Sequence, residues 1–156
     1  MAHEIERKFL VSGDGWRAGA DGVLQRQGYI AIEDHGVVRT RIEGDRATLS
    51  IKSAQRGLTR DEFEYEIPVA DAEAMLESLC PVVIEKTRYK REFGGRTWEV
   101  DVFHGVNDGL VIAEVELPAE DAEVELPEWV GEDISLDVRY RVSQLSRQPF
   151  TKWRNG

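Results

Sequence analysis

The chain has 156 residues, 41% of them hydrophobic and 32% charged, with a formal net charge of −10. That length suits one domain with its own core, and no apolar run approaches the ~20 residues of a membrane-spanning helix. The acid excess argues against nucleic-acid backbone binding, which needs a basic field, but a small polyanion stays within reach if the 20 lysines and arginines are gathered in one place.

No basic and apolar leader opens the chain, so export is not expected. The single cysteine, Cys80, can form no intramolecular disulfide and suits a reducing cytoplasm. Within the run Met75-Leu76-Glu77-Ser78-Leu79-Cys80 it reads as core filler.

In chain order, residues 3–10 alternate as a strand, with Glu4, Glu6 and Lys8 on one face and Ile5, Arg7 and Phe9 on the other. Four glycines in 13–22 mark a loop that Trp16 packs down. Residues 23–32 and 37–42 read as strands around the turn 33–36, the second with Arg39 and Arg41 in phase. Glu43-Gly44-Asp45 makes a hairpin turn into a strand over 46–53, where Thr48, Ser50 and Lys52 oppose Leu49 and Ile51. After a loop at 54–58, residues 60–67 set Arg60, Glu62, Glu64 and Glu66 against Phe63, Tyr65 and Ile67, and Pro68 stops the strand.

The spacing predicts a helix over 71–80, with Asp71 as N-cap and Met75, Leu76 and Leu79 on one face. Pro81 ends it. A strand over 82–93 carries Lys86, Arg88 and Lys90 in phase, and Gly94-Gly95 turns the chain into 97–103. There Glu99 and Asp101 oppose Trp98, Val100 and Val102. Residues 110–117 form a further strand holding Glu114 and Glu116, after a loop at 105–109. The acidic stretch 118–134 is expected to mix a helical turn with loop around Pro127 and Trp129. Residues 136–147 are expected to form a terminal helix with Tyr140 and Gln144 one turn apart on one face.

Most of these strands share one design. One face is apolar, and the other carries charge, often of one sign per strand. Two arrangements satisfy this alternation. In an ordinary antiparallel sheet the charged faces meet water, although like charges on one strand face repel. In a closed barrel of eight strands the charged faces look inward on a space about large enough for side chains or one small ligand. Cationic strands would then grip a polyanion, and carboxylate strands would hold a hard divalent cation, Mg²⁺ or Mn²⁺, which takes oxygen ligands. The outward apolar faces need cover, and with so little helix in the chain a homodimer interface is one source of it.

Glu4-Ile5-Glu6-Arg7-Lys8-Phe9-Leu10 resembles the N-terminal Glu-x-Glu-x-Lys signature of the CYTH superfamily, the triphosphate tunnel metalloenzymes. The likeness continues in family order through Arg26-Gln27-Gly28-Tyr29, Val38-Arg39-Thr40-Arg41, Leu49-Ser50-Ile51-Lys52, and Leu58 to Glu64. It extends over Glu85-Lys86-Thr87-Arg88-Tyr89, Trp98 to Phe103, Ala113-Glu114-Val115-Glu116-Leu117 and Asp137-Val138-Arg139-Tyr140. Val142 departs from the asparagine that many bacterial members carry, so the last helix is not expected to make the family's polar contacts there.

The resemblance implies a single domain over the whole chain, mainly β: an eight-stranded antiparallel closed barrel, open at both ends, with charge inside and a few flanking helices. It implies hydrolysis of inorganic triphosphate to pyrophosphate and phosphate with Mg²⁺ or Mn²⁺. It carries Glu4, Glu6, Glu114 and Glu116 over as metal ligands. Asp101, Glu62 and Glu64 become further ligands or groups that orient water at the metal. Lys8, Arg39, Arg41, Lys52, Lys86 and Arg88 become phosphate binders, with Arg60 and Lys90 continuing the pattern. Tyr29 resembles a position read as a proton acceptor, and a ring packed in the tunnel wall explains it equally well.

Relatives of this type also include adenylate cyclases and thiamine, nucleoside and RNA 5′-triphosphatases, and a sensor that binds polyphosphate without turnover would keep the cations. The presence of every expected carboxylate favours an enzyme. The three histidines, His3, His35 and His104, show no metal-ligand spacing, and no Gly-rich phosphate loop is present.

Overall fold

The structure is a computed structural model and describes residues 3–17 and 21–153. Residues 18–20, inside the glycine-rich loop expected at 13–22, lie outside the described residues.

Among the described residues nine strands form one antiparallel sheet: β1 (His3–Val11), β2 (Val23–Glu33), β3 (Gly36–Glu43), β4 (Arg46–Ser53), β5 (Thr59–Ile67), β6 (Val83–Phe93), β7 (Arg96–Phe103), β8 (Val111–Glu116) and β9 (Val130–Asp133). Their order is β5-β4-β3-β2-β6-β7-β8-β1-β9, and a further pairing of β1 with β5 closes eight of them into a ring. That seam is short, with His3, Glu4 and Ile5 opposite Asp61, Arg60 and Thr59. Gly44, at φ +61°, takes the first position of the two-residue turn between β3 and β4, a place that favours glycine. A bulge after Tyr29 shifts the β2–β3 register, from Tyr29 opposite Arg39 to Ala31 opposite Val38.

Among the described residues three α-helices flank the ring: α1 (Val69–Ser78), α2 (Val142–Arg147) and α3 (Phe150–Trp153). The first begins earlier than the sequence suggests. Pro68, not Asp71, is its N-cap, with φ −60° and ψ 140°, and the Asp71 amide already donates to the Pro68 carbonyl. Proline's fixed φ sets the entry without a side-chain cap, and Asp71 sits in the first turn, where the helix dipole favours an acid. Its buried residues are Ala72 and Leu76, whereas Leu79, expected on the buried face, is 51% exposed.

The C-terminal stretch is not one helix. The Asp137 carboxylate accepts hydrogen bonds from the Arg139 amide and guanidinium, fixing a 3₁₀ turn at 138–140. Arg141 is then extended (φ −66°, ψ 134°), and α2 starts afresh. An acidic side chain that captures a nearby amide competes with helix propagation, so Tyr140 and Gln144 do not share a helical face. The acidic stretch 118–134 also differs from expectation, since it ends in β9, which pairs with Phe9 and Val11 of β1.

The apolar packing lies mainly outside the ring, in two clusters. Phe9, Trp98, Val100, Ala113 and Val115 on β1, β7 and β8 pack with Trp16, and with Ala122, Val124 and Trp129 of the acidic stretch. The Trp98 and Trp129 rings meet edge-on at 5.8 Å. Ile42 and Ala47 on β3 and β4 pack under Ala72, Leu76 and Cys80 at α1. Cys80 is therefore core filler, as its surroundings in the sequence suggest. Gly28 permits that contact, because a Cβ there would lie 2.7 Å from the Cys80 Cβ. Cover for these outward faces thus comes from this chain's own irregular segments and α1. On β4 and β5, Ile51, Phe63 and Tyr65 stay exposed.

A third cluster fills one end of the ring's interior. Two residues beyond Lys8, Gln27, Asp101, Lys86 and Glu114 on the same strand faces stand Leu10, Tyr29, Phe103, Ile84 and Ile112, which pack with Tyr140, Val142 and Leu145. The interior is therefore not charged along its whole length. No helix among the described residues is long and apolar enough to cross a membrane.

Candidate active site

Inside the ring lies a polar cavity of about 300 Å³. It brings together Glu4, Glu6 and Lys8 of β1, Tyr29 of β2, Arg39 and Arg41 of β3, Lys52 of β4, and Arg60, Glu62 and Glu64 of β5. Lys86 and Arg88 of β6 and Glu114 and Glu116 of β8 complete the set from the other side. Alternation is what points all of these inward, and register is what makes them neighbours. Glu6 stands directly opposite Glu116, and Lys8 opposite Glu114. Lys90, the weaker extension of the β6 row, is exposed and does not line the cavity.

Asp101 is the one residue of the expected site that does not reach the cavity. It is 0% exposed, and its two carboxylate oxygens are taken by Arg88 Nε and Nη2, at 2.8 and 2.9 Å, and by Lys86 Nζ at 2.8 Å. It fixes two cations from behind, so the expectation that it ligates metal has no geometric support here. Two residues further along β7, Phe103 belongs to the apolar end of the barrel, which leaves Asp101 walled in.

The remaining charges form a chain of opposite neighbours. Lys8 Nζ lies 3.7 Å from both Glu6 and Glu114. Lys52 Nζ lies 3.3 Å from Glu4 and 3.1 Å from Glu62, and Arg60 Nε donates to Glu4 at 3.0 Å. Arg39 donates to Ser50 Oγ at 3.2 Å, and Ser50 in turn donates to Glu64 at 3.1 Å.

Burial and neighbours set the ionisation of this array. Burial, with Glu114 and Glu4 beside it, pushes Glu6 up to about 8, against the pull of Lys8. Burial would also raise Glu4, but Lys52 and Arg60 outweigh it and hold that carboxyl at about 2. Burial together with Arg39 lowers Lys52 to about 8, against Glu4. Lys86 falls to about 7 through burial, Arg88 and Arg41, despite Asp101. Burial works against Lys8 too, yet Glu114 and Glu6 raise it. Burial, Glu4 and Glu62 raise Glu116.

The donor set fits a hard divalent cation. Its carboxylates are all oxygen donors, and Glu6 and Glu116 face each other in register, an arrangement of like charges that repels without a cation. Both carboxyls are raised, Glu6 by burial, Glu114 and Glu4, and Glu116 by burial, Glu4 and Glu62. Among the described residues no three acidic, histidine or cysteine side chains already converge as a metal cage. The histidines stand apart, His3 on Asp61 at 2.9 Å and His104 on Thr87 Oγ1 at 2.7 Å, with His35 exposed in a turn.

Several cavity residues escaped the sequence reading. Glu43, Gln55, Arg141 and Ser143 line it, as does Glu99, which alternation places on the charged face without a role, and Gln25 and Gln27 stand behind its wall at 0% exposure. The glutamines share the strand phase of Tyr29, so alternation alone would have found them. Nothing local signals Arg141, which arrives by the break between the 3₁₀ turn and α2. Val142, where a polar residue is common in the resemblance, is 9% exposed and packs against the apolar end while bordering the cavity.

The profile of the CYTH domain matches residues 2–148. The chain belongs to the CYTH domain family. This CYTH chain is 49% identical over 155 residues to the inorganic triphosphatase of Acetivibrio thermocellus, a match spanning 99% of both chains. It is 36% identical over 151 residues to the inorganic triphosphatase of Nitrosomonas europaea, covering 92% of this chain and 96% of that one. A crystal structure of an inorganic triphosphatase superposes with a TM-score of 0.65 at 35% identity, covering 91% of this CYTH chain and 96% of that one.

Proposed function

We propose that this CYTH protein is a metal-dependent hydrolase of inorganic triphosphate, releasing pyrophosphate and phosphate. The observation that carries the reading is the cavity itself: seven strand-borne cations and eight glutamates, all turned inward around about 300 Å³. A triphosphate carries several negative charges, and its hydrolysis develops more on the leaving oxygen, so positioned cations are the main catalytic requirement. The 49% identity to an inorganic triphosphatase along the full chain supports the same substrate.

In this reading Arg39, Arg41 and Arg88 bind phosphate oxygens through paired N–H donors, and Lys8, Lys52, Lys86 and Arg60 add further positive charge. Lys8 is held protonated by Glu114 and Glu6 even though burial opposes it. Asp101 keeps Lys86 and Arg88 aimed into the cavity. Glu62, Glu64 or Tyr29 accepts the proton of the attacking water as the phosphoanhydride bond breaks and pyrophosphate departs. Glu4, Glu6, Glu114 and Glu116 would hold Mg²⁺ or Mn²⁺, which when bound neutralises phosphoryl charge and acidifies water. The lone buried Cys80 fits action in the cytoplasm.

The test is phosphate release from tripolyphosphate, ATP and thiamine triphosphate, each with Mg²⁺, with Mn²⁺ and with chelator. Tripolyphosphate should be split fastest, and only with metal. Conversion of ATP to cyclic AMP with tripolyphosphate left intact would overturn the reading.

A further inference from the structure

Arg41 differs from the other strand-borne cations of the cavity. Lys8, Arg39, Lys52, Arg60, Lys86 and Arg88 each have a carboxylate oxygen within 4.0 Å. Among the described residues Arg41 has none. Its Nε donates instead to the amide oxygen of Gln27 at 2.8 Å, from the register position directly across β2–β3. Gln27 is 0% exposed, and its Nε2 has no hydrogen-bond partner. Leaving a buried amide donor unpaired is costly, so this neutral side chain occupies a place that an apolar residue would fill at less expense to the fold.

We propose that Gln27 is a positioning residue for substrate binding: it orients the Arg41 guanidinium by its Nε while leaving the charge uncancelled. The inference rests on the triphosphate reading of the cavity. A carboxylate here would hold Arg41 as firmly but would compete with the substrate for it. Lys8, Arg39, Lys52 and Arg60 share their charge with glutamates that line the same cavity, and Lys86 and Arg88 share theirs with Asp101 behind the wall. Arg41 meets the polyanion with its charge still free and with Nη1 and Nη2 available for two parallel bonds. An acceptor without charge orients the guanidinium and leaves its charge whole.

The experiment compares Gln27→Glu and Gln27→Met with wild type, using tripolyphosphate turnover with Mg²⁺ and direct calorimetric binding of tripolyphosphate, with folding checked by thermal melting. Gln27→Glu should raise KM and Kd by about tenfold or more with kcat changed far less, the signature of lost binding before the chemical step. Gln27→Met, which keeps Arg41 charged but unoriented, should raise both by only about threefold, because orientation is lost while the charge stays free. A purely structural role would make the two variants alike in affinity, and that result, or unchanged affinity in Gln27→Glu, overturns the inference while wild-type turnover leaves the triphosphate reading standing. Absence of both binding and turnover in wild type would overturn the two together.

Discussion

At the scale of single residues, what matters is which charges are cancelled inside the chain and which are left for a ligand. Asp101 is the fully cancelled case, buried and bonded to Arg88 and Lys86. Removing its charge strands both cations. Asp101→Asn should destabilise the fold by about 3–5 kcal/mol, the usual result of breaking a buried pair from one side, read as a lower urea midpoint together with weakened turnover. Glu116 is the opposite case: it borders the cavity, is exposed among other carboxylates, and is raised by burial, Glu4 and Glu62. Glu116→Gln should leave the melting curve intact yet lower metal-dependent phosphate release by about a hundredfold, the scale of losing one electrostatic contact to the transition state. Wild-type rates in that variant would remove Glu116 from the proposed ligand set.

At the scale of elements, the barrel depends on segments with little regular structure. Alternation made the strands legible: Glu4, Glu6 and Lys8 on one face of β1 are where the pattern put them, and the same holds for β3 to β8. The segments that cover the barrel carried no such signal. Trp129 and β9 reach the β1–β7–β8 face through an acidic stretch whose local sequence suggests helix and loop, because their fit is with distant Trp98 and Phe9. The C-terminal helices are similar. Leu145 is 0% exposed and packs α2 against the apolar end of the interior. Leu145→Ala should therefore cost about 2–5 kcal/mol, measured by urea unfolding. Because Arg141 and Ser143 border the cavity just before and within α2, the same change should weaken tripolyphosphate affinity.

At the scale of the whole molecule, closing the ring concentrates charge that the linear sequence spreads over a hundred residues, and stability becomes dependent on pH. Lys86 is the sharpest example, lowered from 10.5 to about 7 by burial, Arg88 and Arg41 against the pull of Asp101. Between those two values the unfolded chain holds a proton that the folded chain sheds, so this group's contribution to stability rises with pH and is lost as pH falls toward 7. The stability of wild type relative to Lys86→Met, without substrate or metal, should accordingly rise as pH is raised from about 7 to about 10. A constant difference across that range would mean that Lys86 stays protonated throughout.

The sequence by itself determined the eight strands of the ring, the faces of their side chains and the alternating rows of acids and bases, since each follows from a period of two along a short stretch. It did not determine the orientation of those faces, because a sandwich with charge outside obeys the same alternation, and only family resemblance chose between them. The tertiary structure decided which charges meet. The three-pair seam between β1 and β5 turned the rows inward, register placed Glu6 against Glu116 and Gln27 against Arg41, and the C-terminal break delivered Arg141. These are relations between residues far apart in the chain, fixed by strand pairing and packing, and no local pattern encodes them.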